Sequence, residues 1–514
     1  MRHVSIFIEG LRSQPRLMFW LAALSQAAIW WLVPSIFYSA PPGDLPMVLA
    51  VGHEFQLGTD LGPPLAFWLA EIVYLVFGIV GVYLMAQACV VLTYWAVFQL
   101  GRAIVGEQHA AMAVLLMPGI LGVTTVPSPD FGPGTLGMAL AALLLLHFWR
   151  AIGDGQRHYW FVLALDLGLL LLTTYAGLIL FVCLMIFLWA TERGWAALQT
   201  IEPWFAAIVV AVLLFPHLIW LDVAGDTTFA PLWERLHSRE AADTNLWAWL
   251  RLAAIVVAVH AGLLVLVAIA VGWWRKPSEV LPVFARPPVA PFARRFVLFL
   301  AVAPVAIATV VAVVIGSPAP AGGVAPYVTL SGLAAVVAAG DTIVIHRQRI
   351  LALAWTLMLL LAPAITVAAI IAVPWTAAIE LKNAQPAAAI GAFFADTFQR
   401  RTNKPLEIVS GDPRLAALVA LAAPSRPSYY DAADPRRTPW VTVDDIRKKG
   451  LIVVWPARDT RGAPPPEIAA RFPDLVPEVP RAFEHAIQGR LPLARVGWGM
   501  IRPTAETAPA QPQR

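Results

Sequence analysis

From Phe296 to Gly316 the chain reads FVLFLAVAPVAIATVVAVVIG, directly after Arg294-Arg295. An uncharged run of this length, at about 1.5 Å of helical rise per residue, reaches across a hydrocarbon layer roughly 30 Å thick. Ten comparable segments lie at 17–38, 79–100, 108–127, 131–149, 159–174, 176–191, 203–222, 246–274, 327–345 and 350–374. The pattern predicts an all-α polytopic membrane protein with about eleven transmembrane helices. Composition agrees: 59% of the 514 residues are apolar and 13% charged, against roughly 45–50% and 25% in soluble domains. A soluble enzyme is excluded, and so is a transmembrane barrel, whose strands alternate weakly. The two cysteines, Cys89 and Cys183, both sit in apolar blocks, which leaves no disulfide framework and no paired-cysteine metal site. A net charge of +4 is spread over loops and a tail without a basic, aromatic-interleaved stripe, so nucleic acid is not a partner.

Arg2, Arg12 and Arg16 precede the first block, which runs into Pro41-Pro42 instead of a cleavage site and is read as uncleaved. With the N-terminus inside, the inner loops collect fourteen Lys and Arg while the outer loops hold two, Arg235 and Arg239. By the positive-inside rule the N-terminus is cytoplasmic, and an odd number of spans puts the C-terminus outside. The same outer loops carry nine acids, among them Asp44, Glu54, Asp60 and Asp130. Polar chemistry is therefore expected on the outer face.

After Trp375 the composition changes. Residues 376–514 hold 19 of the 36 basic and 14 of the 32 acidic residues. Helix-like runs near 386–401, 413–422 and 443–449 alternate with strand-like 406–410 and 451–455, so a small α/β domain is expected over 376–503. The polar, Pro-rich 504–514 reads as a disordered tail. Residues 1–375 form the membrane domain, with a first outer loop at 39–78. That loop is half apolar, and 65–77, with Trp68, Glu71 and Tyr74, suits a helix lying in the interface before the chain dives.

Asp44 just after the first span, Gly58 fourteen residues on and Pro63-Pro64-Leu65 from nineteen on resemble the first-loop signature of glycosyltransferase family 39. Pro129-Asp130 resembles the second-loop acid of that family. Tyr159-Trp160 leading through Gly168 to Leu172-Thr173-Thr174-Tyr175, Trp220-Leu221-Asp222 closing a span, and Val409-Ser410-Gly411-Asp412 in the tail fit as well. The resemblance covers about residues 17–375. It implies the GT-C membrane fold and transfer of a sugar from a polyprenyl-phosphate carrier to an acceptor hydroxyl of a glycolipid, lipid A, polymer or protein. The setting is then a bacterial inner membrane, with the tail domain in the periplasm and membrane lipid around the helices.

Such a reaction needs one carboxylate to take the acceptor proton, because phosphate is already a stable leaving group. Asp44 is the candidate base and Asp130 the second acid. Phosphate charge calls for fixed cations, and arginine grips two oxygens at once. Arg251, flanked by Trp247 and Trp249, is the first candidate, followed by Arg235, Arg239 and His53. The departures are Gly62, where the family has His, Thr174, where it has Lys, and the absence of any basic residue over 316–326. Either Arg251, Arg235 and His53 substitute, or the donor differs, or this chain is a glycolipid-binding relative without catalysis. A transporter or flippase is the other class, but its charges would gather at the midplane rather than in the outer loops.

Bland readings accompany each assignment. Asp44 also reads as a solvated turn acid, Asp130 as a helix cap and Arg251 as a snorkelling side chain. Adjacent His53 and Glu54 do not by themselves make a divalent-metal site, and no cofactor is assigned. Asp166, deep in a span, calls for a partner or a neutral form. The tryptophans Trp68, Trp220 and Trp247 are interface anchors placed where they could also stack on sugar.

Overall fold

The computed structural model describes residues 9–120, 130–237, 246–272, 282–316, 323–377, 379–457, 462–473 and 475–504. Pro129, Arg239, Arg275, Lys276 and the tail from 505 lie outside the described residues, as does the side chain of Arg235.

Most of the expected spans coincide with helix over the greater part of their length. Among the described residues six helices are long and apolar enough to cross a membrane, and up to eight if two bent pairs each count as one span. The shortfall from eleven has local causes. In the 108–127 segment the described helix is Glu107–Leu115, followed by a 3-10 turn at Met117–Gly119 that contains Pro118, and 121–127 lie outside the described residues. The 327–345 segment stops its helix at Ala338, where Gly340 at φ +92° redirects the chain. Its end becomes a strand, β2 (Thr342–Val344), pairing antiparallel with β1 (Val283–Ala285). The reading of 327–345 as one span is corrected there: β-branched Thr342-Ile343-Val344 finds ribbon hydrogen bonds instead of continuing the helix.

By internal contact the chain divides into two units. Unit 1 comprises 1–33, 61–66 and 80–365, and unit 2 comprises 34–60, 67–79 and 366–514. Within unit 1, Pro133–Ile152 packs on Tyr159–Leu171, which packs on Glu202–His237. Phe148, Phe187 and Phe296 meet with ring centroids 5.5–6.0 Å apart at its core. The outward face of the helix beginning at Glu202 exposes Phe205, Ile208, Val212 and Phe215, as a lipid-facing helix should.

Unit 2 is a five-stranded sheet with helices against it. The strands are β3 (Ile408–Gly411), β4 (Ser428–Tyr430), β5 (Leu451–Pro456), β6 (Val476–Phe483) and β7 (Ala494–Ile501), in the order β4-β3-β5-β7-β6. The first three run parallel, and β7 is antiparallel to both its neighbours. Gly411, at φ +119°, places a hypothetical Cβ 2.0 Å from the Val454 carbonyl oxygen, so only glycine passes β5 here. Asp412 then caps the helix Pro413–Ala422 through the Leu415 amide.

Most of the first loop, 39–60 and 67–78, belongs to this unit. Leu45–Gly52 is a helix that packs on Pro413–Ala422, and Ala40, Met47 and Ala50 join Phe394, Phe398, Val409 and Leu415 in one core. Leu45, Val48, Leu49 and Val51 are all buried, each contributing about 1.5–3 kcal/mol by leaving water. At the helix end Gly52 lies against the Phe67 carbonyl, where a Cβ would sit 2.4 Å from the oxygen. The next helix, Leu65–Val105, is interrupted at Gly78 (φ +66°, ψ −166°), so 65–77 is a separate segment ahead of the span.

Candidate functional site

Asp44 stands at the start of Leu45–Gly52, after Gly43 at φ +55°. It is exposed, and its carboxylate makes no capping bond to the helix behind it. Arg414, from the first turn of Pro413–Ala422, reaches the same corner: Nη1 donates to the Gly43 carbonyl at 2.7 Å and Nη2 to the Lys382 carbonyl at 3.3 Å. Burial pulls the Arg414 pKa below its ordinary value, and the negative charges of Asp44, Asp412 and Glu380 oppose that pull. Its buried Nε has no partner. A cation thus lies beside the proposed base.

His53 and Glu71 form a second cluster. Glu71 is fully buried, with His53 Nδ1 2.9 Å from Oε1 and Arg426 Nη2 at 2.8 and 2.7 Å from its two oxygens. The Arg426 guanidinium also covers the Tyr74 ring at 4.6 Å. Arg426 holds φ at +49°, a left-handed backbone that a side chain rarely adopts. Glu54, beside them, has its pKa raised by burial and by the charge of Glu71, against a hydrogen bond from Ser428 and the proximity of His53. Trp68 Nε1 donates to the Gln56 carbonyl at 2.8 Å and ties the loop to the 65–77 helix. Ser425, Arg426, Ser428, Trp440, Asp445 and Lys449 line a neighbouring cavity of about 200 Å³. Farther along the loop Asp60 pairs with Arg437 Nε at 3.6 Å, just after the buried Gly58 and Thr59.

The motif residues of unit 1 also gather. Pro63 and Pro64 are buried, and the Leu65 amide donates to the Leu172 carbonyl at 2.9 Å, joining the Pro-Pro-Leu turn to the Leu172–Tyr175 motif. Tyr175 Oη lies 3.2 Å from His217 Nε2, and His217 stacks on Trp220. Thr174 is buried, its methyl 3.0 Å from where a Cβ of Gly137 would be, and its hydroxyl accepts from the Ala176 amide.

Asp130 is half-buried, and its carbonyl accepts from the Thr135 hydroxyl at 2.7 Å. The N-cap of Pro133–Ile152 is Gly132, not Asp130. Arg251 is exposed on Leu246–Val259, a helix that bends by 55° at His260. Asp166 has the partner its depth demands, His147 Nδ1 at 2.5 Å. Among the described residues no group of three or more His, Cys, Asp or Glu is arranged to hold a metal. Of the phosphate candidates, His53 is engaged by Glu71. The arginines that face first-loop acids, Arg414, Arg426 and Arg437, were not found by sequence reasoning. Only Arg414 carried a signal, two residues after the Val409–Asp412 motif.

Residues 62–220 match the family described as Dolichyl-phosphate-mannose-protein mannosyltransferase. The matched range opens at Gly62 and closes at Trp220, and over it the resemblance read from the sequence is borne out. No curated protein matches the chain. Among solved structures, ArnT from Cupriavidus metallidurans bound to undecaprenyl phosphate is 13% identical with a TM-score of 0.45, covering 96% of this chain and 99% of that one. Its apo form gives 13% and 0.45, with 94% and 97% covered. The apo oligosaccharyltransferase of Archaeoglobus fulgidus gives 12% and 0.44, with 81% and 64% covered.

Proposed function

We propose that this membrane protein is a glycosyltransferase that moves a sugar from a polyprenyl-phosphate donor to an acceptor hydroxyl on the outer, periplasmic face of a bacterial inner membrane. The observation that carries the reading is the state of Asp44: an exposed carboxylate, uncommitted to its own helix, beside the Arg414 guanidinium, in a loop that leads into the family match. In the proposed step Asp44 takes the proton of the acceptor hydroxyl as its oxygen bonds the anomeric carbon. The bond from that carbon to the phosphate oxygen breaks, and polyprenyl phosphate leaves with the electron pair. Arg251 and the arginine of Arg235 or Arg239 are the proposed phosphate contacts, with Asp130 as the second acid. The 200 Å³ cavity beside Arg426, with an indole and groups of both charges, suits a polyhydroxylated acceptor.

The test is Asp44→Asn, which keeps shape and removes the proton acceptor. Membranes carrying it are assayed with polyprenyl-phosphate sugar, and transfer should fall to background while thermal stability stays within about 0.5 kcal/mol of the parent, as for a surface substitution. Activity near that of the parent overturns the assignment. A second reading, a glycolipid-binding relative without catalysis, is favoured by Thr174, which is buried and bonded to the Ala176 amide at the position where the resembled family has lysine. It predicts donor binding without turnover in both the parent and the Asp44→Asn variant. Comparing envelope lipids by mass spectrometry with and without the gene separates the two, since only an enzyme leaves a sugar missing.

A further inference from the structure

At the end of unit 1 that carries the N-terminus, two cavities flank the β1–β2 ribbon. One, of about 520 Å³, is lined by Arg12, Ser13, Glu107, Gln108, His109 and Arg286. The Arg286 side chain is 3% exposed. It spends Nη2 on the Gly340 and Val336 carbonyls at 2.8 and 3.4 Å, and its closest acid, Asp341, is 3.8 Å away. Its Nε and Nη1 have no hydrogen-bond partner. A guanidinium buried with donors unused is costly unless something accepts from it.

The helix Glu107–Leu115 starts at this cavity. Its N-cap is Gly106 at φ +81°, with no side-chain cap, and the first intrahelical bond runs from the Ala110 amide to Gly106. The amides of Glu107, Gln108 and His109 precede that bond, and an uncapped helix start of this kind favours an anion. Arg12 stands over the Phe284 ring at 5.3 Å, and Gln108 fixes its backbone at 3.0 Å. The acid in this lining, Glu107, is paired with Arg16.

The second cavity, about 150 Å³, is almost wholly apolar and is lined by Leu11, Leu115, Val267, Ile343 and Trp355 among others. The two linings adjoin: Leu11 lines one and Arg12 the other, and Ile343 of the second pairs with Phe284, next to Ala285 of the first. Trp355, which lines the groove, donates its Nε1 to the Leu115 carbonyl at 2.8 Å.

We propose that these cavities together bind one anionic phospholipid from the leaflet on the N-terminal side, the phosphate against Arg12, Arg286 and the helix start and an acyl chain in the groove. The charge matches a phosphodiester, and the adjoining apolar slot distinguishes a lipid from a free anion. The site is independent of the transfer reaction proposed above.

Native mass spectrometry of the full-length protein tests it, with phosphatidylglycerol, diacylglycerol of the same chains, and inorganic phosphate as probes. One phosphatidylglycerol should be retained, and neither diacylglycerol nor phosphate at equal concentration. Arg286→Gln and Arg12→Gln should each weaken retention about tenfold, the loss of one charge-assisted hydrogen bond. Arg12 is exposed, so its variant should keep the parent melting temperature even where the Arg286 variant does not. Equal retention of diacylglycerol, displacement of the lipid by phosphate alone, or unchanged binding in the Arg12 variant overturns the proposal.

Discussion

A single guanidinium nitrogen of Arg426 bridges both carboxylate oxygens of Glu71, at 2.8 and 2.7 Å, across 355 positions of sequence. Glu71 has no exposed surface, and Arg426 adopts a left-handed backbone to reach it. Removing one partner of a buried pair leaves a bare charge, at a cost of roughly 3–5 kcal/mol, whereas replacing both with apolar groups is often neutral. Arg426→Ala and Glu71→Ala should therefore each destabilise unit 2 by about that amount, and Glu71→Leu with Arg426→Met should recover most of it. Chemical denaturation in detergent, followed by tryptophan fluorescence, measures all three. A double variant as unstable as the sum of the singles would mean that the pair is not coupled.

Glu54 supplies a pH dependence whose sign follows from its raised pKa. A carboxyl whose folded pKa lies above its unfolded value favours the folded state while protonated, below about 4.5. That contribution is lost as pH rises through the folded pKa. Glu54→Gln should match the parent near pH 4 and be the more stable of the two at pH 7 to 8. Melting curves across that range decide it, and a variant less stable at neutral pH would reverse the assignment.

Arg251 separates phosphate binding from snorkelling by its response to lysine. A lysine reaches the membrane surface equally well but lacks the planar fork that holds two oxygens. Arg251→Lys should weaken donor binding roughly ten- to a hundred-fold, corresponding to about 1.5–3 kcal/mol. Titration of polyprenyl-phosphate sugar against both proteins checks this, and equal affinities would leave Arg251 a surface anchor.

The orientation proposed from the distribution of Lys and Arg is testable with a phosphatase reporter. Fused after Gln385 it should be active, and fused after Arg295 inactive. The opposite pattern would put the Asp44 loop in the cytoplasm, where a nucleotide-linked donor would become the natural substrate.

Much of the fold was legible because the helices of unit 1 depend on apolar length, which local sequence reports. The helix Pro413–Ala422 was legible too, since Gly411-Asp412-Pro413 combines a left-handed turn, a cap and a first-turn proline. β6 was hidden: Pro477 and Pro480 break its pattern and are tolerated because it is the edge strand of the sheet. The β1–β2 ribbon was masked by flanking apolar blocks. At the candidate site, Asp44, Gly58 and Pro63-Pro64 were proposed from spacing along one loop. Arg414, Arg426 and Arg437 could not, because their partners are brought to them only by the packing of the loop helix into a sheet domain encoded far downstream.

That packing sets a timetable for biogenesis. The helix Leu45–Gly52 is made early, yet the strands and helices that share a core with Met47 and Ala50 follow only after roughly 300 further residues. At about 5–20 residues per second the ribosome needs some 15 to 60 s to deliver them. For that interval an apolar helix must wait without its core, shielded by the lipid surface or by a chaperone. A fragment starting at residue 376 is born with the reciprocal defect, since the helix that fills its hydrophobic centre was left at the other end of the gene.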